Sequence, residues 1–288
     1  MEPIRINKYL SESGYCSRRE ADKLITLRKV KINGKPAKLG DKVGPKDRVE
    51  VDHKILKPLE EKIYIAFNKP FGVITTTDPN CDNNILEYIK TPQRVFPIGR
   101  LDVESTGLIL LTNDGDIVNK ISKAKYHHEK EYMVTVDKPL TPGALKELAD
   151  GVLILENVRT LPAKVEKISP NQMKMTIVQG LNRQVRRMCE AVGYEVKILT
   201  RTRIMNISLG ELGRGKWRHL SSIEMKNLFA LLEESDKKAE QPTSPTPRLK
   251  IAPSAKKTAP RKPSNFKKPL NKSFSYNRTW SSKDSGKN

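Results

Sequence analysis

The sequence predicts an α+β fold built on a mainly antiparallel or mixed sheet. Strand-like patterns outnumber helical ones, the two types do not alternate regularly, and 288 residues suffice for one large domain or two. Predicted strands lie at 63–67, 73–77, 108–112, 132–136, 173–178 and 196–199, and predicted helices at 116–122, 143–149 and 184–192. Regular alternation would instead indicate a doubly wound parallel sheet.

Residues 1–60 carry the signals of a small module of two helices and a hairpin. Ser17 and Glu20 have the spacing of a capping box at the start of the second helix. Asn33-Gly34 follows a short strand and is a hairpin turn signal. We therefore predict a first domain at 1–60 and a second at 61–235.

Two arginines, Arg18 and Arg19, lie in the first turn of that second helix. The helix dipole disfavours cations there by up to about 1 kcal/mol, unless an anion binds between them and the free N–H groups. The pattern therefore indicates a phosphate site, with a solvated pair of arginines as the alternative.

The net charge of +21 is distributed unevenly. Residues 1–60 carry +6, residues 61–235 carry +4, and residues 236–288 carry +11. Such an excess indicates a polyanionic partner and makes a small neutral metabolite a poor candidate.

Residues 236–288 are rich in Pro, Ser and Lys, so we predict that they are disordered. They are either a tether for nucleic-acid phosphates, with Phe266, Phe274, Tyr276 and Trp280 as stacking groups, or a solubilising extension.

Several classes of protein are excluded by residue type and spacing. The longest aliphatic runs, such as 108–111, are far shorter than the ~20 residues of a membrane span. The first residues lack the layout of a secretory signal, so we expect a cytoplasmic protein. The three cysteines and four histidines have no metal-ligand spacing, and no phosphate-binding loop is present. We therefore expect no metal and no cofactor.

One acidic turn remains as a candidate for chemistry. Asp102 lies in the segment GRLDVESTG at 99–107, directly before an apolar strand. Taken alone, an Asp before a Ser-Thr-Gly turn is a loop cap.

Motifs elsewhere in the chain supply a family context. INKYLSESGYCSRREADKLI followed by VKINGKPA, at about 3–57, resembles the S4 RNA-binding domain. NKP at 68–70, FPIGRLD at 96–102, HEKEY at 128–132 and QGLNRQVRRM at 179–188 resemble the RsuA/RluB/RluE/RluF family of pseudouridine synthases. The combined resemblance covers about residues 3–232. It implies isomerisation of uridine in structured RNA: the glycosidic bond breaks, the base turns, and a C–C bond forms to the same ribose.

The resemblance assigns roles to three residues. Asp102 would be the catalytic aspartate, which either attacks the sugar or the base covalently or removes a ribose proton. Tyr132 would stack on the uracil and act as an acid or base, although an isolated Tyr there would be an ordinary strand residue. Leu199 would pack under the site, a role close to that of any core leucine.

Helix geometry separates the three arginines of RQVRRM at 183–188. Arg183 and Arg187 face away from the apolar stripe, and Arg186 lies at its edge. The resemblance places the buried basic partner of the catalytic Asp on Arg186, where it would keep Asp102 ionised. Arg183 and Arg187 would then face RNA phosphates.

Extrusion of the target uridine costs about a few kcal/mol. Arg100 would fill the vacated stack. Lys69 is predicted foremost to shape the NKP turn together with Pro70, and it is also predicted to bind RNA.

The leading prediction is therefore a monomeric pseudouridine synthase of 23S rRNA, with tRNA as a further substrate. The alternatives are a synthase of small-subunit rRNA, a non-catalytic S4-type ribosome-associated factor, and a glycosidase that releases the base.

The tail generates a first test. Removal of residues 236–288 should weaken RNA binding and flatten its salt dependence by about 0.7–0.9 in the log–log slope for each phosphate that these residues neutralise. Titrations of one RNA at several salt concentrations measure this slope. An unchanged slope would show that the tail makes no phosphate contacts.

Overall fold

In the computed structural model, the N-terminal residues form two helices packed on short strands. The structure describes residues 2–59, 61–122, 126–155 and 158–240, which belong to one compact unit, Met1–Thr243. The helices are α1 (Ile6–Glu12) and α2 (Arg18–Thr26). The strands of this part are β1 (Ile4–Arg5), β2 (Val30–Ile32), β3 (Lys35–Pro36), β4 (Lys42–Val43), β5 (Val49–Val51) and β6 (Lys54–Leu56). They form a sheet of order β3-β2-β5-β6 and a separate β1-β4 pair.

Local signals explain this module. The Ser17 hydroxyl accepts a hydrogen bond from the Glu20 N–H and the Glu20 side chain accepts one from the Ser17 N–H, so the predicted capping box is confirmed. Asn33 and Gly34 both have positive φ and form the turn between β2 and β3. A buried apolar cluster that includes Ile6 and Leu10 lies between helices and strands.

The second and larger sheet is mixed. Its strands are β7 (Tyr64–Lys69), β8 (Phe96–Ile98), β9 (Thr106–Thr112), β10 (Lys130–Val136), β13 (Lys164–Ser169), β14 (Gln172–Ile177), β15 (Val196–Ile204), β16 (Ile207–Ser208) and β17 (Trp217–His219). The order is β13-β14-β10-β15-β9-β7-β17, with β8 paired to β9 and β16 paired to β15. Separately from this sheet, β11 (Leu153–Ile154) pairs antiparallel with β12 (Val158–Arg159). In this sheet β9 and β15 are parallel and the other pairs within the described residues are antiparallel, so the predicted α+β fold with a mixed sheet is confirmed.

Helices cover the sheet on both faces. They are α3 (Gly115–Ser122), α4 (Pro142–Asp150), α5 (Gln184–Ala191) and α6 (Ser222–Glu240), with a short 3-10 turn at Ile85–Glu87. Ile109 and Leu111 of β9 belong to one apolar cluster, whereas Leu108 and Leu110 belong to the other. The uninterrupted apolar run at 108–111 therefore reflects a central strand that is buried on both sides.

Two sequence predictions require correction. Residues 73–77 form no strand: only an isolated bridge joins Ile74 to Asn84, because the segment turns beneath the loop that follows β8. The disorder predicted from residue 236 is wrong for 236–240, which continue α6, and Lys120 pairs with Asp236 at 2.6 Å. The remainder, 241–288, lies outside the described residues. Within the described ranges, no helix has the length and apolar character needed to span a membrane.

The parallel contact between β9 and β15 requires a glycine. Gly107 has a φ of +99° and pairs with Arg201 across the two strands. A Cβ at this position would lie 2.8 Å from the Arg201 backbone nitrogen and would also overlap its carbonyl oxygen. Only glycine allows this approach without strain.

We predict that Gly107→Ala destabilises the fold by about 2 kcal/mol or more, because positive φ and the clash with Arg201 both oppose a side chain. Urea unfolding measures the effect. Gly143→Ala is the matched control, since it lies in α4 with open space around its Cβ position and should be neutral or slightly stabilising. Equal stability of the two variants would contradict the requirement for glycine.

Candidate active site

A pocket of ≈ 220 Å³ opens where the loop after β8 meets β10, β15 and the start of α5. It is smaller than the typical small-molecule pocket of about 300–1,000 Å³ and is suited to a single nucleobase. Polar and charged residues from these elements line it: Asp102, Lys130, Tyr132, Arg183 and Arg201. Its apolar wall includes Leu181, Val185 and Leu199.

The loop that carries Asp102 is held by its backbone. The Thr75 hydroxyl donates to the carbonyl oxygen of Leu101 at 2.8 Å. The Gly72 N–H donates to the carbonyl oxygen of Val103 at 2.9 Å, and the Ser105 N–H closes the turn onto the carbonyl oxygen of Asp102 at 3.0 Å. These bonds fix the direction of the loop, so the Asp102 carboxylate is left to the pocket.

Lys69 is a further part of this support. Its side chain is 0% exposed, and its Nζ donates to the carbonyl oxygens of Pro70, Val73 and Val103 at 2.9, 2.7 and 3.3 Å. Burial lowers the pKa of Lys69 to about 8, although the nearby charge of Asp102 opposes that shift. The prediction that Lys69 binds RNA is therefore wrong. The alternative, that it shapes the neighbouring turn, agrees with these contacts.

Arg186 points inward, as its place at the edge of the apolar stripe predicts, and its hydrogen bonds go to the backbone of two other residues. Its Nη1 donates to the carbonyl oxygen of Val196 at 3.0 Å and its Nη2 to that of Glu104 at 3.1 Å. Its Nε also lies 3.6 Å from the Glu104 carboxylate. Among the described residues no ion pair joins Arg186 to Asp102, and Arg186 is absent from the pocket lining. The guanidinium therefore holds the loop two residues after Asp102, and the role of Arg186 as the partner of Asp102 stays a prediction.

Arg201 is the buried arginine that the pocket contains. It is 4% exposed, and its Nε donates to the carbonyl oxygen of Leu108 at 2.7 Å. Its Nη2 is buried and has no hydrogen-bond partner in the described part of the chain. Arg201 is not among the site residues predicted from the sequence. The available signal was its position two residues after Leu199, which places both side chains on one face of a strand.

A β-bulge sets which side chains of β15 enter the pocket. Arg201 lies opposite Tyr132, Ile204 lies opposite Lys130, and the register shifts between these pairs. Arg203 consequently lies opposite Glu131 and faces the other way, where it pairs with Glu129 at 3.0 Å. The bulge therefore separates a pocket-facing arginine from a surface arginine two residues away.

Tyr132 and Leu199 form part of the pocket wall. They are 8% and 5% exposed, and both also belong to the main apolar core. The two side chains therefore present flat and branched apolar surfaces beside the Asp102 loop.

The remaining predicted RNA contacts lie in different places. Arg18 and Arg19 are exposed at the start of α2, and Arg100 is exposed at the pocket. Arg183 precedes α5 and pairs with Glu104 at 3.1 Å. Arg187 donates to Asn182 at 3.1 Å and is half-buried, away from the pocket. The fold thus brings Arg100 and Arg183 to the pocket and leaves the other three outside it.

Comparison with known proteins places most of the chain. A family model described as RNA pseudouridylate synthase matches residues 63–191, and an S4 domain model matches residues 4–57. The chain is 50% identical over 247 residues to the dual-specificity RNA pseudouridine synthase RluF of Escherichia coli (strain K12), covering 85% of each chain. It is 39% identical over 238 residues to the ribosomal large subunit pseudouridine synthase B of Bacillus subtilis (strain 168), covering 80% of this chain and 97% of that protein.

A solved structure agrees with these matches. A crystal structure of pseudouridylate synthase superposes with a TM-score of 0.59 at 33% identity, covering 78% of this chain and 99% of that chain. The resemblance stated from the motifs and the expected enzyme class are confirmed. Because the identity to RluF and its relatives extends over most of both chains, this chain belongs to the RNA pseudouridine synthase family and isomerises uridine in RNA.

Proposed function

We propose that the protein converts uridine to pseudouridine in 23S rRNA, and in a tRNA as a second substrate. The proposed isomerisation rests on one observation: Asp102 lies in a base-sized pocket whose wall includes Tyr132 and Leu199. The name of the RluF relatives, dual-specificity, supports two RNA substrates, and the Bacillus subtilis relative supports the large ribosomal subunit.

The pocket suggests how the reacting base is held. The target uridine leaves its stack at a cost of about a few kcal/mol, and its uracil enters between apolar side chains. Tyr132 offers its ring for stacking and its hydroxyl for proton transfer. Leu199 supports the other side of the base. Asp102 then acts on the ribose, either by attack on the anomeric carbon or by removal of the neighbouring proton.

Cations around the site supply the RNA contacts. Arg100 is exposed beside the pocket and is placed to fill the vacated stack or meet a backbone phosphate. Arg183 and Arg187 flank the start of α5, and Arg18 and Arg19 extend the basic surface at the start of α2. We further propose that the enzyme acts as a cytoplasmic monomer.

Asp102→Asn tests the proposed chemistry. The amide keeps the shape of the carboxylate but cannot act as a nucleophile or base, so isomerisation should fall by about 10⁴-fold or more. RNA affinity should stay within about threefold, because the phosphate contacts remain. Pseudouridine is mapped by reverse-transcription stops across total rRNA and tRNA from cells that carry either form.

Asp150→Asn, an exposed change at the end of α4, is the matched control and should leave every stop in place. Stops that persist with Asp102→Asn would overturn the role of Asp102. Stops found only in small-subunit rRNA would overturn the proposed substrate and leave the chemistry intact.

Lys69 yields a prediction of pH dependence. Its pKa of about 8 lies below the ordinary 10.5, so the folded protein binds fewer protons than the unfolded one between these values. Burial of the charged Lys69 amine lowers the free energy of unfolding. This penalty is fully present below about pH 8 and diminishes as the pH rises from about 8 towards 10.5, so stability increases over that range. Lys69→Met should lack this rise.

Urea unfolding of both forms from about pH 7.5 to about pH 9.5 measures the difference, which should grow with pH. Lys146→Met, on the exposed face of α4, should follow the unmodified protein throughout. Parallel stability profiles for Lys69→Met and the unmodified protein would show that the Lys69 amine carries no burial penalty.

A further inference from the structure

Two cations in the pocket are not used by the roles proposed above. Lys130 and Arg201 line the pocket from the paired strands β10 and β15. Arg201 lies opposite Tyr132, and Lys130 lies two residues before Tyr132 on β10. Arg201 Nη2 is buried with no partner among the described residues. A buried charged donor without an acceptor destabilises the structure, because it has lost its water partners and gained none. We therefore expect Arg201 Nη2 to donate to an acceptor that a bound ligand supplies.

Lys130 is held close to this guanidinium. Its Nζ donates to the carbonyl oxygen of His128 at 3.3 Å, and within the described residues it pairs with no carboxylate. Burial, and secondly the charge of Arg201, lowers the pKa of Lys130 to about 8. Two like charges in one small pocket repel each other, and an anion that lies near both favours their charged forms. The expected acceptor is therefore an anionic oxygen.

The reaction itself generates such an oxygen. When the bond between uracil N1 and ribose C1′ breaks, its electron pair stays on the uracil, and conjugation places the negative charge on O2 and O4. On one route the Asp102 carboxylate bonds to C1′ and is displaced again when C5 bonds to C1′. On the other route Asp102 removes the C2′ proton, which leaves a C1′–C2′ double bond, and returns that proton to C2′ when C5 bonds to C1′. On both routes C5 then loses its proton and N1 gains one. The uracil anion thus forms on both routes, and the phosphates next to the target uridine are the other anionic source.

We propose that Lys130 and Arg201 together bind an anionic oxygen of the target nucleotide, supplied by the detached uracil or by an adjacent phosphate. This inference rests on the proposed function. A fixed pair of cations aimed at developing charge needs no rearrangement during the reaction, which is how an enclosed site lowers a barrier.

Lys130→Met and Arg201→Met test the site on a stem-loop RNA that contains the mapped target uridine. Each should lower the single-turnover rate of pseudouridine formation by about 10²-fold or more if the oxygen belongs to the uracil, with little change in RNA affinity. Lys130→Arg should recover part of the rate. Arg203→Met is the matched control, because Arg203 lies across the bulge on the opposite face and should react at the rate of the unmodified enzyme.

The phosphate source is distinguished by binding. If the oxygen belongs to a phosphate, the variants should bind RNA more weakly, and a neutral methylphosphonate beside the target uridine should abolish the difference between Lys130→Met and the unmodified enzyme. Should Arg201→Met fail to fold because its bond to Leu108 is removed, Lys130→Met alone decides the question.

Rates and affinities of Lys130→Met equal to those of Arg203→Met would overturn the inference. Absence of pseudouridine formation by the unmodified enzyme would instead count against the proposed function, so the two failures are separable.

Discussion

The active site depends on the close parallel contact between β9 and β15. Gly107 has no side chain, so the backbone of β9 lies directly against Arg201. The hydroxyls of Thr106 and Thr200 are hydrogen-bonded at 2.9 Å, and Arg201 Nε binds the carbonyl oxygen of Leu108. This contact positions the end of the Asp102 loop over the strand that carries Leu199 and Arg201. The distance between the acidic loop and the pocket wall is therefore set by backbone packing.

The loop itself is stabilised through its carbonyl oxygens. Thr75 binds the carbonyl of Leu101, Lys69 binds that of Val103, and Arg186 binds that of Glu104. Two of these three groups are cations, and they hold backbone oxygens while the Asp102 side chain stays available to a substrate. Enzymes commonly hold their reacting groups in rigid surroundings, because displacement of a reacting group by about 1 Å can lower the rate about a hundredfold. In this enzyme a lysine and an arginine support the loop where an ion pair to the aspartate was expected.

Charge acts at two levels in this protein. The excess of +21 resides mainly in the N-terminal module and in residues 236–288, whereas residues 61–235 carry only +4. A distributed excess of this kind raises the local concentration of a polyanion and depends on salt. Inside the pocket, the individual cations Lys130 and Arg201 matter more than the total, because burial weakens screening and leaves each charge in need of a partner.

The sequence alone determined the features that depend on short spacings. The Ser17–Glu20 cap, the Asn33-Gly34 turn and the doubly buried run at 108–111 are local patterns, and the order of the family motifs led to the enzyme class. Tertiary structure decided which side chains meet. Helix periodicity correctly turned Arg186 inward, but it carries no information on which part of the Asp102 loop lies nearest, and that proved to be Glu104. Arg203 faces away from the pocket because a bulge in β15 resets the alternation of side chains after Arg201. Lys69 is withdrawn from solvent because the carbonyl group of Val103, from a distant segment, converges on it together with those of Pro70 and Val73. Contacts between segments distant in the chain depend on packing and strand register, which no local pattern encodes.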